Sequence, residues 1–338
     1  MAEKSKIGWT DSTLNFWSGC TKVSAGCAHC YAEARDARML QEKVIHFGKG
    51  APRLKSKSSV KEAFKMNAKP WICDECGKSW KPLKWGLAQD DSPSDNACCG
   101  TGYHRRRIFS LSLGDWLDKD VPIEWLAEML DTIRQCDQVT WILCSKRWEG
   151  WLMRMCSVIQ HIHPSPESEV SELYHWLMDW RTEVKVPSNI IGLCSVENQE
   201  QADKRIPQFL TVPLACRGLS LEPLLGPVEL YYMWTWGKSR KQNKSLINAA
   251  KIDWLIIGGE SGPKAREFNL DWGRRLIEQG RAAGVPVFMK QLGQNPVGLL
   301  EPLGEDRELS GASLKDKKGA DPAEWPAEMR VQQWLKGF

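Results

Sequence analysis

The sequence predicts an α/β fold, a partial (β/α)6-type barrel with an inserted cysteine-rich metal ribbon. Three observations predict it. From Ile108 onward, short apolar runs alternate with amphipathic stretches, the habit of βα units feeding a parallel sheet. One more apolar run precedes Cys20. Between about Val44 and Arg107 the alternation stops, and Lys, Pro, Gly and Ser surround four cysteines.

The expected strands are Ile108 to Leu113, Val139 to Cys144, Ile190 to Val196, Ala215 to Leu221, Trp254 to Gly258 and Val285 to Met289, with a further one before Cys20. Helical spacing of apolar positions predicts helices from Tyr31 to about Leu40, from Pro122 to Cys136 with proline near the start, over Asn198 to Leu210 and over Leu270 to Ala283. Residues 1–43 and 107–295 would form the barrel, 44–106 the inserted element and 296–338 a C-terminal extension with a short helical ending near Ala323 to Leu335. The insertion offers no long periodic segment. A second break, Tyr231 to Lys251, carries Trp234, Trp236, Lys238, Arg240, Lys241 and Lys244 and reads as an exposed loop.

At 338 residues, one barrel with an insertion accounts for the length. A net charge of +4 is too mild to establish nucleic-acid binding by itself. The N-terminal stretch lacks the apolar core of a signal peptide, and no later stretch has the roughly 18 apolar residues of a membrane helix, so a soluble, cytoplasmic protein without a membrane partner is expected. In a reducing compartment, closely spaced members of the 12 cysteines read as metal or cluster ligands. The 18 tryptophans read mainly as core, with base stacking as the functional alternative.

The segment FWSGCTKVSAGCAHCYAE places Cys20, Cys27 and Cys30 in a glycine-containing loop before a helix. Three thiolates can hold three irons of a [4Fe–4S] cube and leave the fourth open. An open iron is what the amino and carboxylate groups of S-adenosylmethionine need. Gly19 and Gly26 would allow a tight backbone around the cluster. The rival is a structural zinc site completed by His29 or another cysteine.

In such barrels chemistry collects at the carboxyl ends of the strands. The polar residues there are Asp115, Lys146 with Arg147, Ser195, Glu197, Asn198, Glu222 and Glu260. Asp115, Lys146, Ser195, Glu197, Glu222 and Glu260 are the candidates for binding S-adenosylmethionine; helix caps and rim ion pairs are their ordinary alternatives. Gly258-Gly259 lacks the three-glycine dinucleotide fingerprint and reads as room for a ligand near the backbone. Cys136, Cys144, Cys156, Cys194 and Cys216 lie singly in apolar segments and read as core.

Within the insertion, Cys73-Asp-Glu-Cys76-Gly-Lys resembles a zinc knuckle. Cys98 and Cys99 stand where a second pair belongs, but they are adjacent, and His104 can replace one of them. Zinc is the expected metal and an auxiliary iron–sulfur cluster its rival. The ribbon would carry Arg105, Arg106, Arg107 and Lys49, Lys55, Lys57, Lys61, Lys65 and Lys69 toward a polyanion.

The stretches FWSGCTKVSAGCAHCYAE, SLSLGDWLD, ILCSKRWEGW, IGLCSVENQEQADKRIPQFL, LSLEPLLGPVEL, IDWLIIGGESGPKAREFNLDWGRRL and VPVFMKQLG cover most of the chain outside residues 44–106. In that order they resemble a phage and prophage protein family related to radical SAM enzymes. The resemblance implies a radical SAM barrel, a [4Fe–4S] cluster, S-adenosylmethionine, a reductant such as flavodoxin or ferredoxin, and the cytoplasm of a bacterial host. Its phage context points to DNA modification, with modification or isomerisation of a modified or hypermodified thymine base as the expected activity. DNA repair or tRNA modification with the same cofactor is the second enzyme reading. A zinc-dependent nucleic-acid-binding protein without catalysis is the reading of another class.

Overall fold

The computed structural model describes residues 4–40, 45–80, 102–165, 167, 169–230, 252–299, 308–309 and 314–335. Seven strands form one curled, all-parallel half-barrel sheet: β1 (Ser12–Leu14), β2 (Arg107–Ser110), β3 (Thr140–Ser145), β4 (Ile190–Ser195), β5 (Cys216–Leu221), β6 (Trp254–Gly258) and β7 (Val287–Gln291). They lie side by side in chain order, so the sheet grows from one edge to the other. The described α-helices are α1 (Tyr31–Leu40), α2 (Ser59–Asn67), α3 (Ile123–Gln135), α4 (Trp151–Ile162), α5 (Glu172–Arg181), α6 (Gln199–Leu210) and α7 (Leu270–Ala283). No described helix is long and apolar enough to cross a membrane.

Strand alternation sorts the side chains into two cores. On the convex face Leu14, Ile108, Trp141, Leu143, Cys194, Leu219, Leu255, Ile257 and Met289 pack under the helices. On the concave face Trp9, Phe109, Ile142, Ile191, Leu193, Cys216, Trp254, Ile256 and Phe288 form an apolar plug. Ile7, Trp334 and Leu335 pack against that plug. Gly192 keeps the convex side close-fitting: a Cβ there would lie 2.4 Å from Leu214 Cδ1.

Two expectations are corrected. The insertion does contain a helix, α2, whose buried Ser59, Ala63 and Met66 recur at helical spacing. Ala63 and Met66 belong to the convex core, and Ser59 Oγ donates to the Asn15 carbonyl at 2.6 Å, so this helix packs against the barrel. Conversely, the ending Ala323 to Leu335 is no helix but two short 3-10 turns, Pro322–Glu324 and Ala327–Met329, followed by extended chain. The extended chain pairs with the open edge of β7: Met289 N–H donates to the Val331 carbonyl at 2.7 Å and Gln333 N–H to the Val287 carbonyl at 2.9 Å. Covering an edge strand outweighs local helical spacing here.

Asp11 closes the amino-terminal side of the sheet. It accepts from Arg107 Nε at 3.2 Å and lies 3.0 Å from His104 Nε2, while Arg107 stacks 3.5 Å from the centre of the Trp334 ring. Burial pushes the Asp11 carboxyl up, but His104 and Arg107 beside it outweigh that and hold it down at about 2. A depressed carboxyl stabilises the fold above its unfolded pKa, and that contribution fades as pH falls from about 3.8 toward 2. Asp11→Asn should therefore lower stability at pH 7 by about 2 kcal/mol and narrow the gap to the parent below pH 3, as read by urea unfolding across pH.

Candidate functional site

The loop carrying Cys20, Cys27 and Cys30 follows β1 and lies over the carboxyl ends of the strands. Gly19 starts it with φ +107°, and a Cβ there would meet the His46 carbonyl at 2.3 Å, so this position requires glycine. Gly19 N–H donates to the Leu113 carbonyl at 3.0 Å and Gly48 N–H to the Cys20 carbonyl at 2.9 Å. Cys27 ends a 3-10 turn, Ala25–Cys27, and Cys30 immediately precedes α1. All three cysteines are partly exposed. Burial, with the Asp115 carboxylate next, pushes the Cys20 thiol up to about 12 against the opposing Arg147.

Three arginine–carboxylate pairs grip this loop, their carboxylates standing after three different strands. After β2 and β3, Arg147 Nη1 donates to Asp115 Oδ2 at 2.6 Å, and both of its terminal nitrogens lie 3.5 Å from Cys20 Sγ. After β4, Arg205 on α6 donates to Glu197 Oε2 at 2.7 Å, and Glu197 Oε1 accepts the Gly26 N–H at 3.3 Å. After β6, Arg266 Nη2 donates to Glu260 Oε1 at 2.6 Å and Nη1 to the Ala25 carbonyl at 2.8 Å, while His29 Nδ1 lies 3.1 Å from Glu260 Oε2. Burial opposes the charge on Glu197, but Ser24 and Arg205 hold its carboxyl below the ordinary range. Burial likewise opposes the charge on Glu260, and Arg266 and His29 prevail.

A fourth anchor comes from the stretch after α1. Arg53, with no exposed side-chain surface, donates to Thr21 Oγ1 at 2.7 Å, Asp118 Oδ2 at 2.8 Å and Asp120 Oδ2 at 3.1 Å. Its other terminal nitrogen donates to the Ala51 carbonyl at 2.7 Å. Of these four arginines, spacing singles out Arg147 alone, as a residue after a strand; it does not point to Arg53, Arg205 or Arg266. The signal of those three was an arginine on a helix face or in a polar loop, and many surface arginines share it.

Above the concave plug the inward positions turn polar. Cys144 and Ser195 follow the plug residues Ile142 and Leu193 by two residues, and Ser220 follows the plug residue Cys216 by four, on the same face of the sheet. Lys146 Nζ donates to Ser195 Oγ at 2.8 Å. Lys290, an extra residue in the register between β6 and β7, pairs with Glu222. Of the six residues expected to bind the cofactor, Asp115, Glu197 and Glu260 are thus engaged with the cysteine loop and its arginines. Lys146 with Ser195 and Glu222 with Lys290 line the polar layer.

Several expectations resolve differently. Gly26 serves Glu197: a Cβ there would lie 3.0 Å from Glu197 Cδ. The space at Gly259 is filled by protein, because a Cβ there would meet the Leu292 carbonyl oxygen at 2.1 Å. Asn198 takes its ordinary alternative, a helix cap, its Oδ1 accepting the Gln201 N–H at 3.0 Å.

In the inserted ribbon, Trp71–Cys73, Ser79–Trp80 and Tyr103–Arg105 form a small antiparallel sheet, and Gly77, with φ +67°, turns the chain so that its N–H reaches the Cys73 carbonyl at 3.0 Å. This is the turn a knuckle needs, with Cys73 buried and Cys76 at the surface. Cys98 and Cys99 lie outside the described residues, as does the basic loop from Tyr231 to Lys251. His104 has both ring nitrogens on carboxylates, Nδ1 at 2.5 Å from Asp74 and Nε2 at 3.0 Å from Asp11. Arg106 and Arg107 are buried in packing, Arg106 Nη1 donating to Ser12 Oγ at 2.9 Å, so two of the three arginines expected to face a polyanion do not. Lys49, Lys55, Lys57, Lys61, Lys65, Lys69 and Arg105 are exposed. Among the described residues, no three His, Cys, Asp or Glu side chains form a group able to hold a single metal ion.

A family model described as a protein of unknown function, DUF5131, matches residues 4–319. The chain belongs to the DUF5131 family. The match spans β1 to β7 and the cysteine loop, so all three clamps of this DUF5131 chain lie inside it. No curated protein and no solved structure matches the chain.

The Glu197–Arg205 pair sits almost wholly out of water, with side-chain exposures of 1% and 4%. Removing one partner leaves a buried charge without its counter-ion. Arg205→Met should lower stability by about 3–5 kcal/mol in chemical denaturation, and Glu197→Gln in the same chain should recover part of the loss.

Proposed function

We propose that the chain is a radical SAM enzyme in which Cys20, Cys27 and Cys30 hold a [4Fe–4S] cluster. The observation that carries this reading is the cysteine loop itself, clamped by three arginine–carboxylate pairs over the carboxyl ends of a parallel half-barrel. Three sulfur donors held on one loop suit a cube that offers separate iron corners, and leave one corner for another ligand. When bound, the cluster and S-adenosylmethionine would supply a 5′-deoxyadenosyl radical.

The chain's own residues would bind and orient. Lys146, with Ser195, offers a cation and a hydroxyl for a carboxylate or for sugar hydroxyls. Glu222, beside Lys290, offers an acceptor for an ammonium group. Asp115, Glu197 and Glu260 would hold the loop rather than touch the cofactor. The apolar plug below this layer would exclude water from the floor of the site.

The substrate we propose is a modified thymine base in phage DNA, with isomerisation as the reaction and a small low-potential electron carrier of the flavodoxin or ferredoxin kind as reductant. The exposed lysines of α2 and its flanks support a nucleic-acid partner: Lys57, Lys61 and Lys69 lie in one stretch with the half-exposed Phe64. A target base would leave the duplex stack to reach the polar layer. The inserted knuckle, with Cys73 and Cys76, would hold zinc.

Anaerobic reconstitution with iron and sulfide, then reduction with S-adenosylmethionine, should give 5′-deoxyadenosine from the parent and none from a Cys20, Cys27 and Cys30 to Ala variant. A colourless parent without cleavage would support a zinc-dependent binding protein instead. Nucleoside digests after reaction should change for DNA only; a change confined to RNA would move the substrate to tRNA. Lys57→Glu, Lys61→Glu and Lys69→Glu together should weaken DNA binding and flatten its salt dependence, read by fluorescence anisotropy at several salt concentrations.

A further inference from the structure

We propose that Arg147 raises the reduction potential of the cluster by donating hydrogen bonds to the Cys20 sulfur. The inference rests on the radical SAM reading and adds a positioning residue that the three-cysteine pattern does not contain. Both terminal nitrogens of Arg147 lie 3.5 Å from Cys20 Sγ, within the reach of N–H···S bonds, which are longer than bonds to oxygen. Nη1 is also held by Asp115 Oδ2 at 2.6 Å, Nη2 by the Thr21 carbonyl, and the Arg147 N–H donates to Ser145 Oγ at 2.9 Å.

Asp115 is fixed in turn. It accepts from Ser145 Oγ at 2.7 Å, Lys146 N–H at 3.1 Å and Leu117 N–H at 3.0 Å. The guanidinium therefore has no alternative place to go, and with 11% of its side chain exposed it is largely shielded from ions in solution.

The effect on potential follows from where charge accumulates. A thiolate on iron carries part of the negative charge, and that share grows when the cluster takes up an electron from its donor. N–H groups aimed at the sulfur stabilise the reduced form more than the oxidised one, so the potential rises. Asp115 cancels the net charge of the guanidinium, which leaves the directed N–H groups as the main influence. Lysine at this position would bring one point donor in place of a fork.

The test is an EPR-monitored redox titration of the reconstituted full chain, with iron and sulfide counted for each protein, comparing the parent with Arg147→Gln and Arg147→Lys. Cluster content near the parent's and a lower midpoint in Arg147→Gln, with Arg147→Lys between, is the expected result. An unchanged midpoint in cluster-loaded Arg147→Gln would overturn the proposal and leave Arg147 as a loop anchor. Should Arg147→Gln fail to fold or load, Arg147→Lys decides: a midpoint below the parent's supports the proposal and one equal to it overturns it. A parent that binds no cluster overturns the radical SAM reading, and this inference with it.

Discussion

The arrangement of the site depends on one kind of contact, an arginine held by a carboxylate at the end of a strand. A loop of eleven residues from Cys20 to Cys30 has little apolar surface with which to fix itself. Asp115, Glu197 and Glu260 stand at the ends of three different strands, so the loop is held at both ends and in its middle against a sheet that cannot easily deform. Each carboxylate has a guanidinium partner, which is what makes its burial tolerable. The same arrangement engages these carboxylates with the loop, while Lys146, Ser195, Glu222 and Lys290 line the polar layer.

That polar layer exists because the concave face changes character along the strands. The amino-terminal halves carry Ile, Leu, Trp and Phe inward, and further along the inward positions become Cys144, Ser195 and Ser220. An apolar floor under a polar rim concentrates electrostatic interactions at the rim, where the loops meet. The extra residue at Lys290 re-aims one side chain toward Glu222, a familiar use of an irregular register beside a site.

Much of the framework could be read in the sequence because a parallel strand covered on both faces is a continuous apolar run. Trp254–Gly258 and α7 match their predicted limits, and the other strands of the sheet differ by one to three residues at their ends. The reading named no helix over α2, α4 or α5; α2 buries three positions among exposed lysines, and a helix was expected where Val331 and Gln333 pair with β7. At α2 and at the C-terminal segment, partners distant in sequence decide the outcome. The cysteine loop was legible as a motif. Of the arginines that hold it, Arg147 was legible as a strand-end residue with a rim ion pair as its ordinary reading, whereas nothing local distinguishes Arg53, Arg205 or Arg266 from a solvated charge. The roles proposed for Glu222 and Lys146 likewise rest on which side chains the fold leaves facing the mouth.

The pairing of Val331 and Gln333 with β7, and the packing of Trp334 on the concave plug, have a consequence for biosynthesis. As the chain leaves the ribosome, all seven strands emerge before the segment that seals the floor. During that interval β7 presents an open edge and Trp254 and Phe288 lack their cover, the combination that invites pairing between nascent copies. The floor can therefore close only after this segment has emerged, at the end of the strands opposite the cysteines.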